Sequence, residues 1–323
     1  MRLAVLSYGG CLPSALAIPL DLLIAARTVS ALFDEGRFAP EVDVVALSEE
    51  GRRLAPSAVA PDACGAPDCV VVPGMFVASE AELGQRLDAL GAEINWLAAN
   101  GASLVASGCT GVFLAAKAGL IGSRTATTTW WLAPKLAEIA PEATLDLGAM
   151  VVADGPLITA GAVYSQIDLT LYLIERFGGP ELARRVAQYT VLDGRRASQM
   201  PYLSPGALAG RDPLLMEIER HVRANPGAAS VASAAEACGV AERTLQRRVR
   251  AKAGLAPGDF IKKLIMGEAE RLLLGTDRSV EEIADLCGYS DAETFRKTFR
   301  RYQGQSPTAL RRSRGVRRNA SRR

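Results

Sequence analysis

Over its first two thirds the chain alternates short apolar runs with stretches in which apolar residues recur every three or four positions. Met1 to Leu6 is one such run, stopped by Tyr8-Gly9-Gly10. Glu41 to Leu47, Cys69 to Val72, Ser103 to Ser107, Ala149 to Val152 and Leu157 to Ala160 have the same character. Runs this short, bounded by turn formers, read as buried strands. Leu16 to Ala26, Ala81 to Asn100, Gly111 to Ala118, Trp130 to Ile139 and Ser165 to Phe177 carry helical spacing instead. Strands alternating with helices predict an α/β domain over residues 1–192, a parallel sheet with helices on both faces. Ligands of such sheets sit outside the carboxyl ends of the strands.

The pattern changes after Asp193 to Pro213, a stretch of turn formers without apolar periodicity that reads as a linker. Over residues 214–312 every element predicted is a helix, and one unit is written twice. Ala237-Cys238-Gly239-Val240-Ala241 answers to Leu286-Cys287-Gly288-Tyr289-Ser290, the glycines standing 49 positions apart. Leu245, Val249, Gly254 and Pro257 answer to Phe295, Phe299, Gly304 and Pro307, each 50 positions on. Two copies are too few for a solenoid, and a pair of helix-turn-helix units fits. Each copy predicts a short helix, Ser230 to Cys238 or Ser279 to Cys287, stopped by a glycine able to turn left-handed. Ser279 and Glu282 have the spacing of a capping box.

In the helix that follows, the apolar pairs Leu245 and Val249, or Phe295 and Phe299, stand four apart and form a buried stripe. That leaves Arg243, Gln246, Arg247 and Arg250 facing outward in the first copy. In the second the outward residues are Ala292, Glu293, Arg296, Lys297 and Arg300. Arg and Gln carry the forked donors and acceptors that suit guanine and adenine edges in a major groove. Asp259 to Leu274 predicts a helix joining the copies, with Phe260, Leu264, Ala269, Leu272 and Leu273 available for its core face.

Composition sharpens this division. A chain of 323 residues, 49% of them hydrophobic, has room for two cores. Its formal net charge of +2 hides a segregation: from Arg211 on, 23 Lys and Arg stand against 14 Asp and Glu, whereas residues 1–210 hold 14 against 21. A basic module gains from phosphate contact through counterion release, and an acidic one stays off the duplex. The tail, residues 313–323, is dominated by Arg, Ser and Asn and has the composition of a disordered segment. Six cysteines without zinc-type spacing give no metal site, and with no secretory segment they point to a reducing cytoplasm. The opening apolar run is too short to span a membrane.

One turn carries candidate chemistry. Ala106-Ser107-Gly108-Cys109-Thr110-Gly111 places a cysteine between small residues where a strand turns into a helix, the arrangement of a nucleophile elbow. The helix amino end there favours a thiolate. A cysteine nucleophile also needs a base or charged partner, and the single histidine, His221, lies in the connection to the basic module.

The duplicated segment resembles the DNA-binding domain of AraC/XylS-type transcription regulators, on Ile283-Ala284-Asp285-Leu286-Cys287-Gly288-Tyr289-Ser290, Phe295-Arg296-Lys297-Thr298-Phe299-Arg300-Arg301 and Gly304-Gln305-Ser306-Pro307. It departs from that family at Ile265-Met266, where an Arg-Leu pair is common. Residues 1–190 resemble the PfpI-like, class I glutamine amidotransferase-like superfamily, on Pro19-Leu20-Asp21, Asp68 to Gly74, the cysteine turn and Arg124 to Trp130. Together the two resemblances imply a cytoplasmic, sequence-specific transcription regulator. Its base contacts would fall on Arg243, Gln246 and Arg247 and on Ala292, Glu293, Arg296 and Lys297. Its partners would be double-stranded DNA, a small and often nitrogen-containing effector, a second copy of the chain and RNA polymerase, with no cofactor and no membrane. Catalytic relatives have a histidine where this chain has Thr129 and a glutamate where it has Ala15. The resemblance therefore implies a non-catalytic sensor, with Cys109, Thr110, Thr129 and Trp130 as candidate pocket residues. The alternative is a Cys109-dependent amidase or glyoxalase-like enzyme fused to a DNA-binding module. A nonspecific architectural DNA binder fits the large α/β domain less well.

Overall fold

A computed structural model describes residues 1–100, 104–196, 198–202 and 212–312. The chain divides into two compact units, Met1–Ala197 and Ser198–Arg323. Residues 197 and 203–211 of the linker expected at 193–213, and the tail 313–323, lie outside the described residues.

In the first unit, strands β1 (Arg2–Ser7), β2 (Glu41–Ala46), β3 (Cys69–Val72), β4 (Leu104–Gly108), β7 (Val151–Asp154) and β8 (Leu157–Ala160) form one sheet in the order β2-β1-β3-β4-β8-β7. Two-residue strands β5 (Thr125–Ala126) and β6 (Thr144–Leu145) pair separately. The apolar runs become central strands because both faces are covered: Leu3 to Leu6 and Val70 to Val72 are fully buried. The sheet is parallel except at β7 and β8, which pair antiparallel with Val151 opposite Ala160. The sheet is thus mostly parallel, as expected, and the antiparallel pairing of its last two strands comes from their connection. Only Gly155 and Pro156 separate the strands, Gly155 at φ 61°, and a parallel crossover needs a dozen residues or more.

The helices of this unit are α1 (Pro13–Phe33), α2 (Glu49–Leu54), α3 (Pro61–Cys64), α4 (Glu80–Ala89), α5 (Gly91–Asn100), α6 (Gly111–Lys117), α7 (Ala133–Ile139), α8 (Ser165–Gly178) and α9 (Pro180–Tyr189). Length and composition alone would let α1 cross a membrane. Here its Leu16, Leu22, Leu23, Ala26 and Val29 are buried in the core of the unit. The single helix expected over Ala81 to Asn100 is two, broken where Leu90 is drawn into the core ahead of Gly91. The parallel strands all end on one edge, so Tyr8-Gly9-Gly10, Leu47-Ser48, Pro73-Gly74 and Cys109-Thr110 leave the sheet side by side.

The described part of the second unit is helical: α10 (Pro213–Ala224), α11 (Val231–Ala237), α12 (Glu242–Ala253), α13 (Pro257–Gly275), α14 (Val280–Leu286) and α15 (Ala292–Gln303). Helix α13 buries Phe260, Ile261, Leu264, Ile265, Met266, Ala269 and Leu273, while Leu272, expected in its core, is half-buried. Unforeseen on this helix is Lys263, a buried lysine whose Nζ donates to Met200 O at 2.6 Å and Tyr302 O at 2.8 Å. Burial pulls its ammonium down to about 8.

Candidate nucleic-acid interface and the cysteine turn

Each helix-turn-helix is set up by local chemistry. In the first, Ser230 Oγ accepts from Ser233 N at 3.0 Å and Ser233 Oγ accepts from Ser230 N at 2.9 Å, a capping box closed by serine where the usual glutamate would be. Because that position is not an acidic or amide residue, only the geometry discloses it. His221 Nε2 also lies 3.0 Å from Ser233 Oγ, so the single histidine braces this helix start. Gly239, at φ 63°, ends α11, and the chain then enters α12 with no side-chain cap. Leu245, Val249 and Ala253 are buried beneath α12. Arg248 turns back to Asp212, which caps α10, at 3.1 Å and is scaffold. Arg243, Gln246, Arg247 and Arg250 are exposed and make no hydrogen bond or ion pair among the described residues.

The second unit repeats this plan with one added residue, and that residue changes its start. The turn between α14 and α15 includes Asp291, whose Oδ1 accepts from Glu293 N at 3.1 Å and whose Oδ2 accepts from Thr294 N at 2.7 Å. Helix α15 is therefore capped where α12 is not. The Ser279 and Glu282 capping box forms as its spacing predicts. Gly288, at φ 80°, passes so close to Gly227 that a Cβ would stand 2.5 Å from Gly227 O. Phe295 and Phe299 are buried with ring centroids 5.7 Å apart.

The outward face of α15 differs from that of α12. Arg296 pairs with Glu281 of α14, and Lys297 Nζ lies 2.8 Å from Glu293 Oε1. Arg300 and Arg301 are exposed without an ion pair among the described residues, the Arg301 guanidinium lying 5.6 Å from the Tyr302 ring centroid. Ala292, expected to face outward, is half-buried.

In the first unit the cysteine turn takes the elbow shape. Cys109 sits at φ 55°, a left-handed conformation costly for a residue with a Cβ. Its neighbours are glycines for steric reasons: a Cβ at Gly108 would stand 2.3 Å from Gln166 Oε1, and one at Gly111 2.5 Å from Pro73 O. Gly74 presses on the turn, 2.8 Å from Cys109 Cβ to a Cβ built there. Thr110 Oγ1 donates to Met75 O at 2.6 Å and accepts from Met75 N at 2.7 Å, and Thr128 Oγ1 donates to Cys109 O at 2.9 Å.

The thiol itself corrects an expectation. Cys109 is 3% exposed, and burial pushes it up to about 11, against the weaker pull of the Thr110 backbone and of the Thr110 and Thr129 hydroxyls. Desolvation thus outweighs the helix amino end, and the group is a thiol at neutral pH. Neither hydroxyl beside it can take its proton. Ala15 is buried on α1, and Thr129 Oγ1 is buried without a hydrogen bond of ordinary geometry. Of the four candidate pocket residues only Trp130 reaches the surface in part; Cys109, Thr110 and Thr129 are buried. Trp130 packs edge-on against the more exposed Trp131, ring centroids 5.2 Å apart.

Known proteins match both units. The helix-turn-helix domain family matches residues 234–313, and the DJ-1/PfpI family matches residues 39–176. The HTH-type transcriptional regulator CdhR of Pseudomonas aeruginosa is 30% identical over 205 residues, covering 62% of this chain and 60% of that protein. The HTH-type transcriptional regulator GlxA of Rhizobium meliloti is 29% identical over 216 residues, 64% of each. The chain thus spans between three fifths and two thirds of the length of these relatives. A crystallised THiJ/PfpI family protein from Pseudomonas syringae aligns with a TM-score of 0.48 at 20% identity, covering 60% of this chain and 76% of that one. An α/β unit matched by the one family and a duplicated helix-turn-helix unit matched by the other make the chain similar to HTH-type transcriptional regulators, with a DJ-1/PfpI domain ahead of the helix-turn-helix domain.

Proposed function

We propose that the chain is a sequence-specific, DNA-binding transcription regulator, acting in the cytoplasm, whose DJ-1/PfpI domain senses a small molecule without catalysing a reaction. The observation that carries this reading is the α12 face, where Arg243, Gln246, Arg247 and Arg250 are exposed with no partner among the described residues. Free guanidinium forks and an amide on one helix suit the donor and acceptor pattern of a major groove. Two such units place their second helices about one helical turn apart, roughly 34 Å, on one side of a duplex. Paired sites favour a homodimer, and contact with RNA polymerase would follow from promoter position. That relatives carry the name of transcriptional regulators supports the same reading.

The test is capture of genomic DNA bound by the full-length protein, then titration of the best site at two salt concentrations. A few paired sites, held well above random DNA at both salts, are expected. Diffuse binding that vanishes with salt would reduce the basic unit to electrostatic attraction. The enzyme reading is opposed by the buried thiol. With the group at about 11, only roughly one Cys109 in ten thousand is a thiolate at pH 7. Iodoacetamide should therefore modify Cys109 far more slowly than a free cysteine at pH 7, the rate still climbing above pH 9. Fast alkylation at neutral pH would restore the nucleophile.

A further inference from the structure

The carboxyl edge of the sheet carries a second feature, apart from the cysteine turn's four expected pocket residues. A cavity of about 480 Å³ opens there, walled by Gly9 and Gly10 after β1, Glu50 and Arg53 of α2, Arg86 of α4 and Glu93 of α5. That is the size range of small-molecule pockets. The glycines leave its floor to charged side chains: a Cβ at Gly9 would stand 2.1 Å from Glu50 Oε2, and one at Gly10 2.0 Å from Arg86 Nη1.

Its charges do not balance. Arg53 is held by Glu49 at 2.6 Å and Arg86 by Glu82 at 2.7 Å, so both wall cations are already matched. Glu50 and Glu93 have no cationic partner among the described residues. Glu93 is the telling one. It is 2% exposed, and its Oε1 is buried without a hydrogen bond. A buried carboxyl oxygen left unpaired costs the fold free energy unless something supplies the missing donor.

We infer that this cavity is the effector site and that it takes a small organic cation, whose ammonium or guanidinium group donates to Glu93 while Glu50 guards the rim. Arg86 Nη1, turned over Gly10 while Nε and Nη2 serve Glu82, is left to meet a hydroxyl or carbonyl on the same ligand. The site also communicates with the cysteine turn through Tyr8, which precedes the Gly9-Gly10 wall. Tyr8 OH donates to Pro73 O, in the segment whose Gly74 packs on Cys109. Burial holds the Tyr8 phenol well above its usual range, with Cys11, Cys109 and Glu93 adding to it.

The inference rests on the amino-terminal domain being the sensor of a regulator, and its test separates the two. Full-length protein at physiological ionic strength, where surface attraction is screened, is titrated calorimetrically with 4-amino-1-butanol, 1,4-diaminobutane, agmatine, 1,4-butanediol and succinate. The three cations should bind and the diol and succinate should not. Glu93→Gln, which removes the charge at constant shape, should weaken the cations by roughly tenfold or more. Should Glu93→Gln fold poorly, Ala89→Phe on the exposed rim should obstruct the same binding with unchanged unfolding. Equal binding of the diol, no binding by any cation, or affinity unaltered in both variants would overturn the site. If cations bind as expected but the protein shows no DNA specificity, the regulator reading fails and the site stands; specific DNA binding without cation binding refutes the site alone.

Discussion

The two helix-turn-helix units were built to one plan and finished differently. Helix α12 has an uncapped start and four outward polar side chains with no partner among the described residues. Helix α15 has a start capped by Asp291 and two of its cations tied to Glu281 and Glu293. A guanidinium already in an ion pair must leave it before it can reach a base, whereas a solvated one only sheds water. On the proposed function the difference would divide the labour: α12 would be free to read bases, and α15, with two of its cations paired, would be the weaker reader.

The sharpest way to break that division is Arg247→Ala against Arg296→Ala. Losing Arg247 should cost about 1 to 3 kcal/mol on the specific site with little change on random DNA. Losing Arg296 should cost less, since its pair with Glu281 is lost too. Equal losses, read by titration on both DNAs, would mean the units share the reading.

Next in size is the cap. Asp291→Ala removes both acceptors at the start of α15 and should destabilise the second unit by about 1 kcal/mol, seen in a denaturant midpoint. Ala241→Asp should give part of that back to α12. If Ala241→Asp changed nothing, the contrast in caps would lie in the turn backbone and not in the side chain.

The smallest effect is electrostatic. Glu293→Gln frees Lys297 from an exposed pair worth about 0.2 to 1 kcal/mol. It should leave folding nearly unchanged and steepen the salt dependence of DNA binding by about one phosphate contact. An unaltered slope would show that Lys297 never meets the backbone.

Much of this molecule was legible from neighbouring residues alone. The four-residue spacing of Leu245 with Val249 and of Phe295 with Phe299 fixed which faces are buried, because helical periodicity is set by backbone hydrogen bonds within the element. The helix stops at Gly239 and Gly288 followed from the one residue that turns left-handed without strain, and both have positive φ. The cysteine turn was visible as a cysteine set between glycines, although what requires Gly108 and Gly111 is tertiary, the close approach of Gln166 Oε1 and Pro73 O.

What tertiary structure decided were the states of charged and polar side chains, which depend on what stands opposite. Arg296 meets Glu281 fifteen residues away, Lys263 meets the carbonyls of Met200 and Tyr302, and Glu93 meets a cavity. Cys109 is a protonated thiol for the same reason: the helix amino end that favours a thiolate is local, and the packing that removes water from it is not. Sequence periodicity determines which side of an element faces inward; charge state and pairing wait for the fold to bring distant residues together.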